Sequence, residues 1–106
     1  MFHVTDCSTP EIKFFINSGS PVDSEASLTV GDVVTCYAEG ALSYRWINVY
    51  NNSDTLAYGN TLNMSQYGNF SYQCGVFVYC SANVYCPFIK TLAGFTKGMA
   101  MSWFIR

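Results

Sequence analysis

Apolar and polar residues alternate with a period of two through most of this chain. In Val33–Ala38, counting by two from Cys36 puts Val34 and Ala38 on the same face. In Ser43–Tyr50, Tyr44, Trp46 and Asn48 share one face, and Arg45, Ile47 and Val49 share the other. Thr61–Ser65 directs Leu62 and Met64 inward. Phe70–Tyr79 directs Phe70, Tyr72, Cys74, Val76 and Val78 inward. Ile12–Ile16 reads as a first edge strand, and Asn17–Pro21 breaks it so that the chain can change sheets. Leu28 and Val30 make a short strand before a Gly31–Asp32 turn. Asn51–Asp54 reads as a polar loop, Leu56–Tyr58 as a minor strand and Tyr85–Leu92 as the last strand. Thr91–Arg106 shows no clear partner. Short strands separated by turn residues predict an all-β sandwich or barrel, and no 3.6-residue period points to helix.

At 106 residues the chain is one domain. Half its residues are hydrophobic and only 11% are charged, against roughly 25% in a typical soluble domain. Such a surface needs sugars, a partner or neighbouring domains to cover it. The net charge is −2 with scattered basic residues, which leaves no electrostatic footprint for nucleic acid. No run reaches the roughly 18–20 apolar residues of a membrane span.

Five cysteines in so short a chain indicate an oxidising compartment. The only histidine, His3, lies near the start, far in sequence from Cys36, Cys74, Cys80 and Cys86, and no C-x-x-C pair occurs, so no metal or other cofactor is expected. Asn51, Asn63 and Asn69 each begin an N-x-[ST] glycosylation acceptor. The first residues lack the features of a signal peptide. We therefore expect an extracellular or cell-surface segment of a longer protein. The acids fall in turns and at strand ends, and a Ser-His or Cys-His pair would depend on His3. Catalysis is not expected.

Four pieces in order carry a resemblance: Leu28–Cys36 (L-T-V-G-D-V-V-T-C), Tyr44–Trp46 (Y-R-W), Asn60–Met64 (N-T-L-N-M) and Phe70–Cys74 (F-S-Y-Q-C). Together they resemble an immunoglobulin-superfamily domain of the compact C2 or I kind, covering residues 10–92. Residues 1–9 would then be a linker or the end of a preceding segment, and 93–106 a tail. The family often has Asp and a small residue before the second cysteine, where this chain has Gly68 and Phe70. The resemblance implies a sandwich of about seven strands with one inter-sheet disulfide, Cys36–Cys74. It implies that Trp46 packs on the bridge and that the Tyr72 hydroxyl ties down a corner. Cys80 and Cys86 flank an expected hairpin. They either bridge across it, pair in part with Cys7, or reflect an error in the gene boundaries.

In that fold the strands of Trp46 and Cys74 are neighbours. Their outward residues, Arg45, Ile47 and Val49 with Phe77 and Tyr79, would form an apolar face. We expect it to bind a protein or glycan partner, including another copy of the chain, with Phe77 and Tyr79 as anchors. The resemblance thus implies a recognition or adhesion domain of a receptor. Two alternatives are a spacer in a tandem array, whose face meets the neighbouring domain, and an intracellular domain of the muscle type.

Overall fold

The computed structural model describes residues 9–81 and 84–98. His3, Cys7 and the segment 99–106 lie outside them, as does most of 1–9. The described chain is all-β and forms two sheets. The strands are β1 (Ile12–Ile16), β2 (Pro21–Val22), β3 (Glu25–Thr29), β4 (Val33–Ala38), β5 (Ala41–Asn48), β6 (Asn51–Tyr58), β7 (Thr61–Asn63), β8 (Gly68–Ser81) and β9 (Val84–Lys97). One sheet has the order β2-β1-β4-β7 and the other β3-β9-β8-β5-β6. Every pairing is antiparallel except β3 with β9, which is parallel.

The period-two pattern explains which sheet faces meet. Val34, Cys36 and Ala38 on β4 are buried, as are Trp46 on β5 and Phe70, Cys74, Val76 and Val78 on β8. Phe14 stands beside Cys36 in the first sheet, and Trp46 beside Cys74 in the second. The Phe14 and Trp46 rings meet across the gap at 5.5 Å between centroids. Each such side chain contributes roughly 1.5–3 kcal/mol by leaving water. The indole N–H of Trp46 donates to the Asn60 carbonyl at 3.3 Å, so burial leaves no orphan donor.

The chain changes sheets later than the sequence suggested. β2 first folds back on β1, with Phe14 opposite Val22, and the crossing comes between Val22 and Glu25. Asn17 still organises this turn. Its backbone N–H donates to the Val33 carbonyl, and its side chain bonds Asp32 and the Val33 N–H. Lys90 has inward parity on β9 and reaches out through the gap. Its ammonium donates to the Ile12 carbonyl at 3.0 Å and pairs with Asp23 at 3.1 Å.

Three expected boundaries are corrected. Asn51–Asp54 is not a loop but the first half of β6, which pairs with β5 through register shifts around Ile47. Such bulges hide strand periodicity. β3 begins at Glu25, before the expected short strand, and ends at Thr29. β9 runs past Leu92 to Lys97, because residues from Ala93 onward pair with β8 on one side and β3 on the other. The domain boundary at residue 92 therefore moves, and residues 93–97 are part of the sheet. The nine strands exceed the expected seven or so through β2 and the lengthened β6.

Candidate functional site

The candidate surface is the outward face of the five-stranded sheet. Strand register fixes its rows. Ser43, Phe77 and Pro87 lie side by side across β5, β8 and β9. Arg45, Gly75 and Ile89 form the next row, and Ile47, Gln73 and Thr91 the one after. Pro87 is tolerated here because β3 covers β9 only from Ala93 onward, so no described strand pairs with the outer side of β9 at Pro87. Beyond Phe77, Tyr79 meets Tyr85 edge to face at 5.5 Å. Phe77 is 47% exposed, Tyr79 55% and Ile89 60%. That much accessible apolar surface on one sheet face is unusual for a domain with nothing docked on it.

The face is not flat. Gly75 leaves a notch in its middle row, and a groove of about 410 Å³ lies around it, walled by Arg45, Ile47, Phe77 and Ile89. Arg45 is held in place from β6. Its Nε and Nη2 both donate to the Thr55 hydroxyl, at 3.0 and 2.8 Å, and its guanidinium lies 6.0 Å from the centre of the Tyr58 ring.

Of the five outward residues expected from the sequence, the structure brings Arg45, Ile47 and Phe77 to this groove. Tyr79 lies beyond it in the Tyr85 pair. Val49 lies past the end of β5, where its N–H donates to the Ser71 carbonyl. Sequence reasoning missed Gly75, Ile89, Tyr58 and Tyr85. The alternation around Ile89 was available as a signal, but the β8–β9 register that sets it beside Gly75 was not.

The three acceptor asparagines are all exposed. Asn51 opens β6 and Asn63 ends β7. Asn69 lies on the same outward face as the groove, beside Phe95, six residues along β8 from Gly75. That spacing is about 20 Å, so a sugar on Asn69 would border the groove without filling it.

Cys36 and Cys74 are wholly buried and are free thiols in this structure. They nevertheless interact. A hydrogen bond with Cys36, and then burial, push the Cys74 thiol far above its ordinary value. Cys74 is therefore held protonated and is no nucleophile. Cys80 and Cys86 are joined, with Cα atoms 6.5 Å apart, near the closed end of the β8–β9 hairpin. Among the described residues, no three His, Cys, Asp or Glu side chains are placed to hold a metal ion. None of the described elements is a helix long and apolar enough to cross a membrane.

Trp46 lies in the core beside Cys74, whereas Tyr72 does not act as the resemblance implied. Tyr72 is half-buried and packs on Phe70 at 5.0 Å, and among the described residues its hydroxyl makes no hydrogen bond. The tyrosine that ties the sheets is Tyr44. Its hydroxyl accepts from the Ala38 N–H at 3.2 Å and donates to the Ala38 carbonyl at 3.3 Å. The reason is position, since Tyr44 on β5 projects toward the end of β4.

Burial, and then the charge of Asp54, raise the Tyr72 phenol above its ordinary 10.0. The folded state thus favours the neutral phenol. Its contribution to stability is full below pH 10.0 and is lost as pH rises through the raised folded value. Urea titrations at stepped alkaline pH should show a smaller alkaline loss in Tyr72→Phe than in the parent. Equal losses in both would refute the assignment.

Comparison with known proteins finds no matching family model, curated protein or solved structure.

Proposed function

We propose that this chain is an immunoglobulin-like recognition domain of a cell-surface or secreted protein, binding a protein partner without catalysis. The observation that carries the reading is the outward face of the β9-β8-β5-β6 strands, where the exposed side chains of Tyr58, Phe77 and Ile89 line a groove. Three features support the immunoglobulin-like type. The chain crosses between sheets after β2, Cys36 and Cys74 interact from facing sheets, and Trp46 is buried between them. In an oxidising compartment Cys36 and Cys74 form the inter-sheet disulfide, and the exposed acceptor asparagines carry sugar. Sugar and partner together cover a surface that has few charges of its own.

The test uses a multimerised domain, made in a secretory host, against a panel of cell-surface ectodomains. Phe77→Ser with Tyr79→Ser should abolish capture of any partner found with the parent. Both residues are exposed, so thermal unfolding should be little changed. Full capture by the double variant would sink this reading.

A further inference from the structure

The groove carries one charge. Among the residues that line it, Arg45 alone is ionised, and among the described residues the only ion pair elsewhere joins Lys90 to Asp23. Among the described residues Arg45 is therefore a cation without a carboxylate partner. Its guanidinium is oriented from β6, because Thr55 takes two of its N–H groups and the Tyr58 ring lies 6.0 Å from it. The neutral Thr55 hydroxyl orients the guanidinium but leaves its charge uncompensated. The remaining N–H groups, two on Nη1 and one on Nη2, suit a carboxylate taken in two-point fashion.

The apolar floor makes this charge decisive. A partner that covers the groove removes Arg45 from water, and an unpaired buried cation is costly. A purely apolar partner would bear that cost. A second copy of this chain docked by the same face would bear it twice, since no groove-lining residue is acidic. Self-pairing across a two-fold axis is thus disfavoured by the same residue that would favour an acidic partner.

The notch supplies the second half of the recognition. A Cβ built on Gly75 would meet the Ile89 Cγ2 at 3.6 Å and the Arg45 carbonyl at 3.8 Å, so there is room for a side chain that Gly75 does not provide. An apolar group from a partner fits there, flanked by Phe77 and Ile89.

We infer that the groove binds a segment of a different protein in which an Asp or Glu stands next to an apolar side chain. The carboxylate pairs with Arg45, and the apolar group fills the space over Gly75. This rests on the proposal that the outward face is the recognition surface.

The experiment is a selection of short displayed peptides on the whole domain. Enriched sequences should carry Asp or Glu beside Leu, Ile, Phe or Tyr. The best of them, made as a synthetic peptide, should bind about tenfold or more weakly to Arg45→Gln. Its own carboxylate-to-amide analogue should lose a similar factor on the parent domain. Gly75→Val should also block it, and the contacts above leave space for its Cβ, so its urea midpoint is checked against the parent. An empty selection, or selected peptides without acid and indifferent to both variants, would overturn the inference. If such peptides were still lost with Phe77→Ser and Tyr79→Ser, the recognition face would stand while the acidic partner fell. A dimer in sedimentation that Gly75→Val breaks would overturn it in favour of a second copy.

Discussion

Replacing Gly94 by alanine should detach β3 from the five-stranded sheet and cost about 3–5 kcal/mol. Space, not backbone conformation, is the reason. A Cβ at this position would overlap the Ala26 carbonyl oxygen and lie 3.0 Å from its carbon. Both are backbone atoms of the adjoining strand, so no side chain can swing aside. β3 must move, and with it go the pairings from Glu25 with Ala93 to Thr29 with Lys97. Leu28, 2% exposed, leaves the core at the same time. Displacing one buried leucine accounts for about 2–5 kcal/mol on its own. Urea unfolding of Gly94→Ala would measure the loss, and hydrogen exchange at Ala26–Thr29 would locate it. Gly75→Ala is the control, since its nearest neighbour is the Ile89 Cγ2 methyl at 3.6 Å, an ordinary van der Waals contact. That change should stay within about 1 kcal/mol, because alanine suits a strand better than glycine. Equal stability of the two variants would refute the steric account.

Oxidation of Cys36 and Cys74 should raise stability by about 4 kcal/mol, the chain-entropy value for a loop of this length. The two residues are fully buried, interact with each other and belong to facing sheets. A bond between them would staple the core at its centre, beside Trp46. For a domain whose whole stability is roughly 5–15 kcal/mol, reduction would bring it near unfolding. A non-reducing peptide map of protein from a secretory host should recover the Cys36–Cys74 cross-link, and a reductant should shift the urea midpoint downward. Two free thiols in that preparation would remove both this expectation and the extracellular reading.

Core-facing alternation was the most legible part of the fold. Periodicity puts Val34, Ala38, Leu62, Met64, Cys74 and Val76 on the core face, the resemblance puts Trp46 there too, and all are buried. Pairing was less legible, because it is settled by residues distant in sequence. β9 looked unpartnered after Leu92 since Gly94 and Thr96 are not apolar, yet Gly94 admits β3 and Thr96 is buried opposite Leu28. β6 was hidden by its polar start at Asn51 and by the register shift against β5. For the candidate site, outward parity found Arg45, Ile47 and Phe77. Nothing local to Gly75 marks it as the floor of a groove, because that role comes from the strands on either side. The resemblance also misdirected one tyrosine: the hydroxyl that reaches backbone belongs to Tyr44 rather than Tyr72.

The parallel β3–β9 pairing has a consequence for biosynthesis. Glu25 must wait for Ala93, and Thr29 for Lys97, before either edge has a partner. At roughly 5–20 residues per second, several seconds pass between the appearance of β3 and that of β9. During that interval Leu28 has no core to enter and β3 is an unpaired edge. Closure of the larger sheet is therefore a late event on the ribosome, set by the last strand to be made.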